Sequence, residues 1–256
     1  MRSVAGRAAR DGLATALAFA ACAPVSRTSG GTPAPTPAVA AAPAIDTVGM
    51  PRIRFARGTT SGIVDDSLAP GATRSYVLFA SQGQVMLVHA ITWPVAERQH
   101  PPADPVVRVF DVASGRELPT PRAEPAIWSG RLPETGEYVV RVTAAERTTY
   151  TLAVQIPRRV EPDPRQPTAI FTGTAPSRAP IDFLVHADAG RTLEVVLGGD
   201  PVLSLHVYGL DDGVQLAPLP DRRRLYAGRL ATTQDYVVSI IPAAERAAYD
   251  LRISVR

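Results

Sequence analysis

Lysine is absent from this 256-residue chain, and cysteine occurs once. All 27 basic side chains are therefore arginines, and they are scattered among 24 acidic residues instead of forming one stripe. The first eleven residues hold Arg2, Arg7 and Arg10 against Asp11, a surplus of two, so the remainder of the chain falls from a formal charge of +3 to +1. The sequence therefore lacks the electrostatic footprint of a nucleic-acid-binding protein.

Motifs of catalytic and metal-binding sites are also missing. His89, His100, His186 and His206 have none of the spacings that place two ligands on one metal ion. No GxSxG, HExxH, Walker or GxGxxG pattern occurs. We therefore expect a protein that is not an enzyme and uses no cofactor. His89 and His186 are predicted to be packed or exposed strand residues.

Two acidic runs resemble fragments of a calcium site. Asp211-Asp212-Gly213 and Asp65-Asp66 supply too few carboxylates for the roughly six to eight oxygen ligands that calcium takes. An Asp-Gly pair between strands is typical of a hairpin turn. Both runs are therefore predicted to form turns.

The N-terminus has the layout of a secretory signal. Residues 1–12 are basic, residues 13–21 are apolar but too short to span a bilayer, and Cys22 follows at once. The run Phe19-Ala20-Ala21-Cys22 resembles a bacterial lipobox, which implies that the signal peptide 1–21 is removed and that Cys22 is lipidated. A lone cysteine cannot form an internal disulfide, and lipidation would consume its thiol. The alternative is an ordinary cleavage site beside a small apolar residue.

The segment after the cysteine indicates where the protein is held. Ala23 stands where well-studied Gram-negative bacteria place the Asp that retains lipoproteins at the inner membrane, so the lipobox resemblance implies a lipid anchor in the outer membrane. Residues 22–51 contain six prolines among Ala, Thr, Ser and Gly. Such a composition cannot bury enough apolar surface to fold, so this segment is predicted to be a disordered tether.

The rest of the chain contains two copies of one unit. WSGRLPETGEYVVRVTAAERTTYTLAVQI at 128–156 matches YAGRLATTQDYVVSIIPAAERAAYDLRISV at 226–255. In the second copy Tyr249, Leu251 and Ile253 alternate with polar residues, which is the period of a half-buried strand. Short alternating strands separated by Gly and Pro turns favour antiparallel sandwiches.

We therefore predict an all-β protein with two tandem antiparallel β-sandwich domains. The first domain is placed at 52–157 and the second at 167–256. A Pro- and charge-rich hinge at 158–166 joins them.

The first repeat also resembles a known family. RIRFARGTTSGIVDDSLAPGATRSYVLFASQGQVMLV, followed by WSGRLPETGEYVVRV and YTLAVQI, is similar to bacterial pre-peptidase C-terminal (PPC) β-sandwich domains, closest to the branch of periplasmic inhibitors of goose-type lysozyme. The resemblance covers about 52–157. It implies a jelly-roll or PPC-like sandwich that binds proteins or polysaccharide. In the inhibitor branch a longer, Arg-rich loop follows the strand that reads here as Tyr138–Val142, whereas this chain has only Thr143–Thr149.

Candidate binding residues come from two places. The first domain has a Pro-rich loop at 91–104, carrying Trp93, Arg98 and His100, where the second domain has four residues. Trp and Arg dominate interface energetics, and loops on rigid scaffolds commonly carry recognition; the alternative is a solvated loop whose Trp93 caps the core. The repeated AAER runs add further charged candidates, namely Glu146, Arg147, Glu245 and Arg246.

These observations favour a non-catalytic envelope lipoprotein that binds a secreted or envelope protein or a glycan. Inhibition of a goose-type lysozyme is the sharpest form of this hypothesis. The alternative is a structural or assembly lipoprotein of the envelope without inhibitory activity. The sequence does not determine the oligomeric state.

Overall fold

The computed structural model describes residues 43–57, 59–92, 105–122, 124–161, 165, 167–218, 222–243 and 246–256. These residues form strands and turns and contain no helix, so the predicted all-β class is confirmed. The sixteen strands are β1 Ser61–Leu68, β2 Thr73–Ala80, β3 Val85–Thr92, β4 Val106–Asp111, β5 Ile127–Arg131, β6 Gly136–Thr143, β7 Thr148–Gln155, β8 Arg158–Val160, β9 Thr168–Ala175, β10 Ile181–Ala187, β11 Thr192–Gly199, β12 Leu203–Gly209, β13 Gln215–Ala217, β14 Leu225–Arg229, β15 Gln234–Pro242 and β16 Ala247–Val255.

The first seven strands form one sandwich. One sheet has the order β1-β7-β3-β5 and the other β2-β6-β4, and all of these neighbours are antiparallel. Alternate residues of both sheets meet in one apolar core, which includes Tyr76, Met86, Trp128, Val140 and Leu152. Burial of these side chains is the main stabilisation of this half of the chain.

The remaining strands form a second sandwich with its own core. Its sheets have the orders β13-β12-β15-β10-β8 and β14-β11-β16-β9. Phe183, Leu193, Leu205, Val238 and Leu251 are among the residues packed between them. The first three residues of the predicted hinge form β8, which pairs parallel with β10 and so belongs to the second sandwich.

The two copies of the sequence repeat share an equivalent tyrosine hydrogen bond. Tyr138 donates from Oη to the carbonyl of Glu134 at 2.6 Å, and Tyr236 donates in the same way to the carbonyl of Thr232 at 2.6 Å. Each tyrosine bonds to the chain four residues upstream, the arrangement called a tyrosine corner in other β-sandwiches. The shared tyrosines therefore close the same turn in both copies.

The shared aromatic-x-Gly sequences have a packing reason. A Cβ atom placed on Gly130 would lie 2.9 Å from the Trp128 ring, and one placed on Gly228 would lie 2.5 Å from Tyr226 Oη. Each ring folds over the glycine two residues further along its own strand. The glycines are needed because any side chain would occupy the space of the ring.

The end of the predicted tether lies against the first sandwich. The Ile45 amide donates to the Val112 carbonyl at 2.9 Å, and the Val77 amide donates to the Pro51 carbonyl at 2.9 Å. Thr47 Oγ1 also donates to Glu137 at 3.3 Å. Residues 43–51 are therefore fixed to the sandwich by hydrogen bonds, whereas the rest of the tether lies outside the described residues.

The two acidic runs have different outcomes. Asp211 and Asp212 form the turn between β12 and β13, as predicted. The prediction of a turn at Asp65-Asp66 was wrong, because both residues lie inside β1. Asp66 accepts a hydrogen bond from Tyr76 Oη at 2.7 Å, so its carboxylate has a partner on β2 of the opposite sheet.

Candidate binding groove beside the sandwich seam

The two sandwiches pack against each other through one sheet of each. The contact, here called the seam, brings β3 of the first sandwich onto β10, β12 and β15 of the second. Its apolar residues are Val85, Leu87, Leu184, Tyr208, Leu210 and Val237. Backbone contacts accordingly place the described residues from 43 onward in one compact unit. The predicted domain boundaries themselves stay a prediction.

Polar side chains are also buried in the seam. His89 Nε2 lies 3.2 Å from Asp182 Oδ2, and both side chains are almost completely buried. Burial, with a smaller contribution from the charge of Arg122, lowers the pKa of His206 to about 3, so this imidazole is neutral. The Arg122 guanidinium carbon lies 3.7 Å from the centroid of the Tyr208 ring. Removing one partner of a buried pair such as His89 and Asp182 is destabilising, because the other side chain then stays buried without its partner.

Asp235 joins three segments of the chain at the edge of the seam. It accepts hydrogen bonds from Arg131 of β5 at 2.7 Å and from both terminal nitrogens of Arg159 of β8 at 3.0 and 2.9 Å. His186 Nδ1 lies 3.2 Å away. Burial alone would raise the pKa of Asp235, but the hydrogen bonds from Arg159 and Arg131 outweigh it and hold the pKa at about 2.

The lowered pKa of Asp235 predicts that the folded protein loses stability in acid. A folded-state pKa near 2, below the ordinary value of 3.8, means that the stabilisation is fully present above about pH 4 and is lost as the pH falls toward 2. Because both guanidinium groups are partly exposed, we expect a contribution of about 1–2 kcal/mol. Urea unfolding at pH 5 and pH 2.5 measures it: the advantage of the wild type over Asp235→Asn should shrink by that amount. An unchanged difference would show that Asp235 contributes nothing.

One groove beside the seam has walls of mixed charge. Its volume is about 560 Å³, and Asp111, Arg116, Arg131, Glu134 and Asp211 are among the residues that line it. Arg131 is engaged by Asp235 and Asp111 is buried, whereas Arg116, Glu134 and Asp211 are exposed. The lining of this groove carries charges of both signs and contains no aromatic side chain, so it does not favour a ligand of one charge or a flat apolar ligand.

A second groove, here called the aromatic groove, has a more selective lining. Its volume is also about 560 Å³, and it lies where Thr59–Ser61 and Gln155 of the first sandwich meet Arg158, Phe171 and Tyr249 of the second. The rings of Phe171 and Phe183 lie 4.8 Å apart, and the Arg158 guanidinium carbon is 4.9 Å from the Phe171 centroid. Clefts of roughly 300–1,000 Å³ with aromatic walls and few polar groups are typical of small-ligand sites.

The aromatic groove has almost no ionisable chemistry of its own. Burial raises the pKa of Tyr249, so its hydroxyl is neutral, and Asp182 is buried and engaged by His89. Within the part of the chain that the structure describes, no group of three or more His, Cys, Asp or Glu side chains could hold a metal ion. The arrangement can bind and orient a ligand, and it contains no paired acid and base facing the cleft.

Comparisons with known proteins give partial likenesses. No protein-family model and no curated protein matches the chain. A PliG periplasmic inhibitor of g-type lysozyme from Aeromonas hydrophila is 22% identical with a TM-score of 0.32, over 41% of this chain and 94% of that chain. A PliG mutant from Escherichia coli is 17% identical with a TM-score of 0.30, over the same shares of 41% and 94%. The CUB1-EGF-CUB2 domain of human MASP-1/3 is 10% identical with a TM-score of 0.25, covering 77% of this chain and 100% of that chain.

Three of the candidate binding residues from the sequence lie among the described residues. Glu146 and Arg147 are exposed on the turn between β6 and β7, and Arg246 is exposed before β16. None of these three lines either groove. Cys22, Trp93, Arg98, His100 and Glu245 lie outside the described residues, so their predicted roles stay predictions. Among the residues described, no helix is long and apolar enough to cross a membrane.

Sequence reasoning missed the seam and the aromatic groove. The run Val85–Ala90, apolar except for His89, was a usable signal in the sequence, because a strand that is apolar without alternation is covered on both faces. His89 and His186 do lie in strands, as predicted, but only His89 is buried. The groove gave no local signal, since Thr59–Ser61 on one wall lie more than 100 residues before Phe171 and Tyr249 on the other.

Proposed function

We propose that this chain is a non-catalytic binding protein of the bacterial cell envelope, attached to a membrane through a lipid on Cys22. The aromatic groove supports the proposal most directly. Its half-buried rings of Phe171 and Tyr249 lie in a cleft of small-ligand size between two sandwiches that the seam holds in one arrangement. A preformed cleft lowers the entropic cost of binding.

The rigid seam is a second support. Leu87, Tyr208 and Val237 are fully buried between the sandwiches, and Asp235 adds hydrogen bonds across the same contact. A groove whose two walls belong to different sandwiches keeps its shape only if that contact is fixed. The binding surface is therefore a property of the pair of sandwiches and not of one copy alone.

A photoreactive side chain in the groove tests the proposal. Thr172 is exposed and lines the groove, so the full chain carrying benzoylphenylalanine at this position should form a discrete adduct when its cells are illuminated. The matched control places the same group at Thr149, an exposed residue of β7 that does not line the groove. Adduct formation from Thr149 but not from Thr172 would contradict the proposal.

Inhibition of a goose-type lysozyme is the finer form of the proposal. It is supported by the sequence resemblance over about 52–157. Purified full-length protein in micromolar excess should then slow the lysis of cell walls by such a lysozyme, followed as turbidity. Unchanged lysis would remove this form, and an adduct from Thr172 would still support binding of another partner.

A further inference from the structure

We propose that the aromatic groove is a binding site for a neutral glycan, an inference that rests on the proposed function and names its ligand class. The groove combines flat apolar surface, hydroxyl groups and very little net charge. Each of these properties matches one feature of a sugar ring in a neutral oligosaccharide.

The apolar surface comes from the open edge of the second sandwich. Phe171 of β9 and Tyr249 of β16 lie at the margin of the core and keep part of their rings exposed. A pyranose ring presents C–H groups on its face, and such a face packs flat on an aromatic ring. Tyr249 itself lies over Gly173, where a Cβ atom would be 2.8 Å from the Tyr249 hydroxyl, so the glycine leaves the space that this ring occupies.

The polar surface comes mainly from hydroxyl side chains. Thr59, Thr60 and Ser61 line the groove from the first sandwich, and Thr172 lines it from the second. Hydroxyl groups both donate and accept hydrogen bonds, as the hydroxyls of a sugar do. Arg158 adds a donor whose guanidinium already lies over the Phe171 ring.

The charge balance favours a neutral ligand over an anionic or cationic one. Only Arg158 and Asp182 are charged among the lining residues. Asp182 is buried and lies against His89, so it does not present its charge to solvent. One exposed arginine contributes too little to hold a polyanion such as a sulfated chain, because surface ion pairs are worth at most about 1 kcal/mol.

Titration calorimetry of the full chain tests this inference. The neutral probes are the tetramers of N-acetylglucosamine and of glucose, and the anionic probe is a heparin-derived tetrasaccharide. We expect one neutral probe to bind and the anionic probe to bind at least about tenfold more weakly. Phe171→Ala should weaken the neutral probe about tenfold, because it removes apolar surface from the groove and the ring on which Arg158 lies.

Two further variants separate binding from folding. Thr60→Trp fills the groove from an exposed position of the first sandwich and should block binding while leaving the unfolding midpoint unchanged. The control Phe79→Ala removes an aromatic ring that is 63% exposed and does not line the groove, and it should bind as the wild type does.

The outcomes separate this inference from the proposed function. Failure of both neutral probes to bind, or binding that survives Thr60→Trp and Phe171→Ala, overturns the glycan assignment. A protein adduct from the photoreactive group at Thr172 would then retain the proposed function with a protein partner. Absence of both an adduct and glycan binding overturns the two together.

Discussion

Replacing Leu87 with Asp in the seam is expected to lower the free energy of unfolding by about 4–6 kcal/mol. Leu87 is fully buried on β3 and contacts the apolar cluster that joins the two sandwiches. The substitution removes a buried apolar side chain and introduces a carboxyl group that has no partner there. Both effects disfavour the closed seam, while each sandwich keeps its own core.

The matched control is Ile63→Asp in the same sheet. Ile63 lies on β1 at the edge of this sheet and is 43% exposed, so a carboxylate there remains in contact with water. We expect a change within about 1 kcal/mol. Urea unfolding followed by circular dichroism compares the two variants, and calorimetry should show two transitions for Leu87→Asp where the wild type has one. Equal losses for both variants would rule out a stabilising seam.

Trp128→Ala is the second substitution with a large expected effect. The indole is almost completely buried in the first core, and its Nε1–H donates to the Leu118 carbonyl at 3.2 Å. Truncation to Ala leaves a cavity over Gly130 and removes the hydrogen bond to the Leu118 carbonyl. The expected loss is about 3–5 kcal/mol of unfolding free energy.

The second repeat supplies the control for this substitution. Tyr226 occupies the equivalent position over Gly228 but is only half buried. Tyr226→Ala should therefore cost about 1–2 kcal/mol, clearly less than Trp128→Ala. Chemical unfolding of the two variants measures both values, and a larger loss for Tyr226→Ala would contradict the burial argument.

Local features of both sandwiches could be predicted from the sequence. The alternation of apolar and polar residues predicted strand β16 correctly. Tyr138 and Tyr236 mark the turns before β6 and β15, because each bonds to a residue only four positions upstream. The turn predicted at Asp65-Asp66 was wrong because a strand tolerates acidic residues when they find partners, here Thr151 Oγ1 for Asp65 at 2.6 Å. Those partners lie on other strands.

The candidate site depended on contacts that no local pattern contains. The sequence by itself determined an all-β chain with a repeated unit, because side-chain alternation and turn residues act over distances of two to four residues. Only the tertiary structure decided that β3 and β15 are covered on both faces and that Phe171 and Thr60 line the same groove. The reason is physical: an apolar strand face specifies that it must be buried, but not which distant surface buries it.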